Sequence, residues 1–147
     1  MDSETEAKRA ASAVIYAMFE AGKNKDLSSL ARLHSDLLTK FDEFPPYSRQ
    51  SYDDALVYEQ AAFANISDYD YKITELRVDV VGAAAVATFY LEYSGVFVND
   101  YSFEGRPVGS RSRVTMVLAM SADGWKIVHE HFSAFPEWPS KPQKGGP

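Results

Sequence analysis

DGWKIVHEHFSAFP, residues 123–136, is the stretch that decides the fold. A turn around Ala122-Asp123 joins it to an earlier apolar run, and both a two-residue loop and a symmetric four-residue loop set Met120 opposite Trp125. Because successive strand residues point to opposite faces of a sheet, this register assigns each side chain of the predicted hairpin to a face.

One face of the predicted hairpin is nearly all apolar and ends in two histidines. It holds Val114, Met116, Leu118, Met120, Trp125, Ile127, His129, His131 and Ser133. Polar groups at the end of an apolar surface are typical of a pocket lining. The sequence therefore predicts that His129 and His131 line a pocket that helices cover.

The opposite face is predicted to lie on the outside of the sheet. Glu130 lies diagonal to Arg113, which predicts a cross-strand ion pair. That pair is either a surface salt bridge or, together with Val128 and Phe132, a contact with a partner subunit. The predicted interface therefore consists of Arg113, Val128, Glu130 and Phe132.

The preceding sequence completes an α+β pattern. Apolar residues recur at helical spacing from Ala7 to Ala21, a short helix follows Asp26, and a third runs from Tyr52 to about Ala64. From Tyr69 onward, long segments rich in β-branched and aromatic residues are separated by turns with glycine. Helices followed by a strand meander predict three N-terminal helices packed on one face of a curved antiparallel sheet.

The chain of 147 residues has the length of a single domain. We predict one domain over residues 1–136. Residues 137–147 accumulate proline, glycine and lysine, a composition typical of a flexible tail.

Composition excludes several functional classes. The formal net charge of -6 disfavours nucleic acid and anionic membranes as partners. With no cysteine in the sequence, disulfides and thiolate chemistry are impossible. The sequence contains neither a secretory signal nor a membrane span, so we expect a cytoplasmic protein.

Two further segments bear on the pocket. In the strand ATFYLEY, either Tyr90 and Glu92 or the more apolar Phe89 and Leu91 face inward, and the alternatives stay open. Near the Pro45-Pro46 break, an aromatic group forms either a mobile lid or core packing under a loop; it consists of Phe41, Phe44, Tyr47, Tyr52 and Tyr58.

The final hairpin, with its string D-G-W-x-x-V-H-x-H-x-S, resembles the NTF2-like superfamily. The resemblance is to its SnoaL-like branch, which includes the association domain of calcium/calmodulin-dependent protein kinase. It spans most of the chain and is closest around VVGAAAVATFYLEY, EGRP and residues 115–133. It implies a cone-shaped α+β barrel with a cavity between sheet and helices, and dimerisation through the outer face of the sheet.

The superfamily contains isomerases, cyclases, dehydratases and noncatalytic assembly domains, so the fold leaves several functions open. The leading prediction is a homodimer that binds a small, largely apolar molecule without a cofactor. The predicted ligand-binding residues are Tyr58, Tyr90, Met116, Trp125, His129 and His131. The alternatives are a cofactor-free isomerase, cyclase or dehydratase and a noncatalytic oligomerisation module.

The chemistry of the two histidines has three interpretations. They are partly buried structural residues, pocket residues, or acid-base catalysts with Tyr90 and Glu92. A zinc site needs at least three protein ligands, and His34 has no evident route to the pair, so we predict no metal.

Overall fold

The computed structural model describes residues 2–99 and 102–135. The predicted tail, residues 137–147, lies outside them. Three helices precede most of a six-stranded sheet: α1 (Ser3–Lys23), α2 (Leu27–Leu33), β1 (His34–Phe41), β2 (Gln50–Ser51), α3 (Tyr52–Asn65), β3 (Ile66–Val81), β4 (Ala84–Asn99), β5 (Ser102–Ser121) and β6 (Gly124–Ala134). The predicted α+β class is confirmed.

α1 and α2 each begin at an aspartate that caps the first helical turn. The Asp2 side chain caps α1 by accepting a hydrogen bond from the Thr5 amide at 2.7 Å. Asp26 caps α2 in the same way, through the Ser29 amide. Each cap satisfies an amide that the first helical turn leaves without a partner.

The sheet is mixed and open, with strand order β2-β1-β6-β5-β4-β3. The meander from β3 to β6 is antiparallel, as predicted, whereas β1 pairs with β6 in parallel. A long connection through α3 and four strands makes that parallel pairing possible. It places the N-terminal β1 beside the C-terminal β6.

Bulges bend the long strands. In β3 the register shifts between Ser67 and Asp70 and again between Thr74 and Arg77. A residue within each shift, Asp68 or Glu75, has a positive φ of about 55°. Because a bulge bends its strand and increases the twist, these shifts curve the sheet around the helices.

The core lies between the concave face of the sheet and α1. Ile15, Met18 and Phe19 of α1 are buried against sheet residues. The buried sheet residues include Phe89, Leu91, Val114, Met116, Leu118, Trp125, Ile127 and Phe132. The concave face thus includes Phe89 and Leu91, and this resolves the orientation of β4 in favour of its apolar residues.

A bulge in the last hairpin changes which residues of β6 face the core. Met120 pairs with Trp125, as predicted, and Leu118 pairs with Ile127. The next pair is Val117 with His129, so Val128 is an extra residue on β6. One extra residue reverses the alternation of faces beyond it.

Candidate functional site

A central cavity of about 120 Å³ lies between α1, α3 and the concave face of the sheet. Its apolar lining consists largely of Met18, Phe19, Phe63, Ile66, Leu91 and Phe132. Phe44 and Tyr58 also line it, and each is about half exposed, at 48%. These two aromatic residues therefore mark the side on which the cavity opens to solvent.

A buried lysine and a buried glutamate face this cavity. Lys40 follows Leu38 by two residues and lies on the same inner face of β1. Glu59 lies one helical turn from Ala55 and from Phe63, on the buried side of α3. Lys40 Nζ donates a hydrogen bond to Glu59 Oε2 at 2.9 Å. A neutralised ion pair therefore lies in an otherwise largely apolar surface.

Behind this pair, His34 and Glu130 complete a ring of alternating charge. Lys40 Nζ lies 3.5 Å from Glu130 Oε1, and Glu130 Oε2 lies 2.5 Å from His34 Nε2. His34 Nε2 is in turn 3.4 Å from Glu59 Oε1. We call these four residues the charge ring. Its side chains are all at most 5% exposed, so each charge depends on its neighbours for stabilisation.

The ring shifts the protonation of its members. Burial alone would lower the pKa of His34, but the carboxylates of Glu130 and Glu59 raise it to about 9. Burial and the neighbouring Glu130 raise the pKa of Glu59 to about 8. Burial opposes ionisation of Glu130 too, yet His34 and Lys40 hold its pKa well below the usual range. Of the two carboxyl groups of the ring, Glu59 therefore has the higher pKa and holds its proton more tightly.

The ring also contains the residues that could hold a metal ion. Ligand atoms of His34, Glu59 and Glu130 all lie within 4.8 Å of one another. The ammonium of Lys40 already contacts both carboxylates, and a metal ion there would have to displace it. The donor set thus favours an internal ion pair over a metal centre.

A second carboxylate, Glu43, lines the cavity near its mouth. Glu43 Oε2 accepts a hydrogen bond from Ser112 Oγ at 2.5 Å, and both residues belong to the lining. Partial burial raises the pKa of Glu43. Burial and the adjacent Glu43 also raise the pKa of Tyr93, which keeps this phenol in its neutral form.

The prediction that His129 and His131 line the pocket is wrong in placement. Beyond the bulge, both rings lie on the convex face, where they pack around Phe41. His129 Nδ1 is 2.8 Å from Thr39 Oγ1, and His131 is exposed. Their convex position removes them from the chemistry of the central cavity.

The predicted outer position of Glu130 and Phe132 is wrong for the same reason. Both point into the core, and Glu130 pairs with His34 and Lys40 rather than with Arg113. Arg113 instead donates a hydrogen bond to Ser133 Oγ at 3.1 Å. Of the four residues of the predicted interface, only Arg113 and the bulge residue Val128 lie outside the core.

The remaining predicted ligand-binding and catalytic residues separate into three places. Tyr58 lies at the cavity mouth. Met116 and Trp125 are buried on the concave face but do not line the cavity. Tyr90 and Glu92 lie on the convex face, where Glu92 Oε2 is 3.3 Å from Arg111 Nε. Tyr90, Glu92, His129 and His131 therefore do not converge inside the fold.

Sequence reasoning missed Lys40, Glu43, His34 and the role of Glu59. One signal was present for Glu59, because a carboxylate falls among apolar residues on the buried side of a predicted helix. No comparable signal identifies Lys40, whose partners come from α3 and β6.

The sequence profile of the SnoaL-like domain matches residues 11–137, most of the chain. The chain belongs to the SnoaL-like domain family. No curated protein shows significant sequence similarity to this SnoaL-like chain.

Solved structures confirm the NTF2-like fold of this SnoaL-like domain. A candidate dehydratase of the NTF2-like family from Streptomyces avermitilis has 20% identity and a TM-score of 0.75, with 92% of this chain and 99% of that chain covered. An NTF2-like superfamily protein from Salmonella enterica has 19% identity and a TM-score of 0.75, covering 97% and 99%. The association domain of C. elegans CaMKII has 19% identity and a TM-score of 0.72, covering 91% and 100%. At these identities, the similarity establishes the fold alone.

No helix within residues 2–99 and 102–135 combines the length and apolar character that crossing a membrane requires.

Proposed function

We propose that this SnoaL-like domain binds a small, largely apolar molecule in the central cavity. The observation that carries this proposal is the cavity of about 120 Å³ whose apolar lining ends in the Lys40-Glu59 pair. An engineered apolar cavity of about 150 Å³ accommodates benzene. The central cavity is somewhat smaller but opens to solvent beside Phe44 and Tyr58, so a single ring can enter it while a substituent extends into the open side.

Blocking the mouth tests this proposal. Ala62 and Ala61 are neighbouring exposed residues of α3, but only Ala62 lines the cavity. Benzyl alcohol is titrated into the protein while amide NMR shifts are followed. We expect shifts around the cavity in the wild type and in Ala61→Trp, and none in Ala62→Trp. Equal binding by both variants, or no binding to the wild type, would refute the proposal.

A second candidate function, general acid-base catalysis, is favoured by Glu59. Its pKa of about 8 allows it to accept and return a proton near neutral pH, and Lys40 holds its carboxylate at the cavity wall. Such a group is suited to abstracting a proton adjacent to a carbonyl.

The smallest reaction that reveals this activity is exchange of that proton with solvent. Cyclohexanone in deuterated water is the probe, and NMR measures deuterium uptake beside the carbonyl. Glu59→Gln should abolish the acceleration over buffer, whereas Glu92→Gln, on the convex face, should retain it. Absence of acceleration by the wild type would remove this candidate.

We also propose that the domain forms a homodimer through the convex face of the sheet. A polar groove there is lined by Tyr90, Arg113, Thr115, His131 and Ser133, and the fold is shared with an association domain. Arg113→Glu should lower the molar mass measured by light scattering across a concentration series. The same mass for Arg113→Glu and wild type would exclude this surface.

A further inference from the structure

We propose that the central cavity selects a small organic cation, such as an aromatic or alkyl amine, over neutral and anionic molecules of the same shape. This inference rests on the proposed binding function of the cavity and names the class of its ligand. It follows from the charges of the lining, the aromatic surface and the environment of Glu43.

The charges of the lining are predominantly negative. Three carboxylates, those of Asp42, Glu43 and Glu59, line the cavity with one ammonium, that of Lys40. The positive charge of Lys40 is already compensated, because it lies 2.9 Å from Glu59 and 3.7 Å from Asp42. Even when Glu59 holds a proton, the lining keeps an excess of negative charge. An anionic ligand would therefore meet repulsion at low dielectric.

Glu43 is the carboxylate of the lining that makes no salt bridge with a described residue, and Lys40 acts on it only from beyond 4.0 Å. It is half-buried, and its hydrogen-bond partner is the neutral hydroxyl of Ser112. Among the described residues, no cationic nitrogen lies within 4.0 Å of its carboxylate, whereas Asp42 and Glu59 both contact Lys40. A half-buried carboxylate facing a cavity is stabilised most by a cation that enters that cavity.

The remaining lining suits the body of such a cation. Seven of the sixteen lining residues are aromatic: Phe19, Phe44, Tyr58, Phe63, Tyr69, Tyr93 and Phe132. The face of an aromatic ring attracts a cation. The cavity wall already shows this interaction, since Lys40 Nζ lies 4.9 Å from the centre of the Phe132 ring. A second cation from a ligand would find the same kind of surface.

Three probes of matched shape test the inference: benzylamine, which is cationic at neutral pH, benzyl alcohol, which is neutral, and benzoate, which is anionic. NMR titration at low salt gives the dissociation constant of each for the wild type, Glu43→Gln and Glu92→Gln. Glutamine can still accept the Ser112 hydrogen bond, so Glu43→Gln removes mainly charge. Glu92→Gln removes the same charge from the convex face.

We expect the wild type and Glu92→Gln to bind benzylamine about tenfold more tightly than benzyl alcohol, and benzoate most weakly. Glu43→Gln should bring benzylamine to the affinity of the alcohol while leaving alcohol binding unchanged. If benzyl alcohol binds as tightly as benzylamine to the wild type, the cation preference is wrong and the binding function stands. If no probe binds, the cation preference and the binding function are both wrong. If Glu43→Gln still binds benzylamine more tightly than benzyl alcohol, the inference about the cation is overturned.

Discussion

The imidazole Nε2 of His34 lies 2.5 Å from Oε2 of Glu130, although 96 positions separate the two residues in the sequence. Neither side chain is accessible to solvent. The parallel pairing of β1 with β6 creates this contact, because it sets the start of one strand beside the other. The contact joins the first residue of β1, directly after α2, to the last strand by an ionic hydrogen bond in addition to the apolar packing of the core.

Removing the charge of Glu130 should therefore be costly. Glu130→Gln keeps the size of the side chain but leaves His34 and Lys40 with Glu59 as their shared buried counter-charge. Breaking a buried ion pair from one side costs about 3–5 kcal/mol. Urea unfolding should show a loss of this size in the free energy of unfolding.

The matched control is Asp79→Asn, which breaks the exposed pair with Arg77, where the side chains are 52% and 76% accessible. An exposed pair contributes about 0–1 kcal/mol, so the control should stay near the wild type. Equal losses in the two variants would show that the charge ring has no special role in stability.

The stability of the protein should fall as the pH rises from about 6.5 to about 9. The folded state raises the pKa of His34 from 6.5 to about 9, so it binds that proton more tightly than the unfolded state does. This stabilisation is complete below pH 6.5 and is lost as the pH rises through about 9. Glu59 acts in the same direction, since its folded-state pKa of about 8 exceeds its ordinary value of 4.5.

A pH series of urea unfolding curves measures this loss, which is about 3 kcal/mol for a shift of this size in His34 alone. His34→Gln should flatten the curve over that range. His129→Gln is the control, because burial and His131 lower the pKa of His129 and its titration acts in the opposite direction. A curve that keeps its full slope in His34→Gln would contradict this assignment.

Several features of the fold were predictable because local chemistry sets them. Asp26 begins a helix, a turn with glycine closes the last hairpin, and Met120 faces Trp125. The charge ring was not predictable from local signals, since its members come from β1, α3 and β6. Nor was the bulge at Val128, because regular alternation fits residues 124–133 equally well and places the wrong side chains inside.

Phe132 should behave as a core residue. It is 8% exposed and packs beneath Lys40. Phe132→Ala should lower the free energy of unfolding by about 3–5 kcal/mol. Phe41→Ala, on the convex face and 36% exposed, should cost about 1 kcal/mol or less. A larger loss of stability in Phe41→Ala than in Phe132→Ala, measured by thermal or urea unfolding, would mean that β6 lacks the bulge.

Gly22 should resist replacement by alanine even though it lies in a helix. Alanine is ordinarily favoured over glycine in helices by about 1 kcal/mol. Here, however, a Cβ on Gly22 would overlap the Phe63 ring, which lines the central cavity. Gly22→Ala should therefore destabilise the protein by about 1–3 kcal/mol and weaken benzyl alcohol binding.

Urea unfolding and NMR titration of the same sample measure the two effects on Gly22→Ala. Ala64→Gly, at an exposed position of α3, is the control for helix propensity alone. A gain of stability in Gly22→Ala would show that Phe63 moves aside freely.

The single extra residue at Val128 determines which side chains of β6 lie in the interior of this domain. In the segment VHEHF, residues 128–132, two interleaved sets of side chains compete for the inside: Glu130 with Phe132, or His129 with His131. The register of the backbone after the bulge, and not the type of residue, places Glu130 and Phe132 inside. Relatives with the same letters but an uninterrupted strand would enclose imidazoles in place of the carboxylate, so alignments of this family need to match bulges before they transfer residue roles.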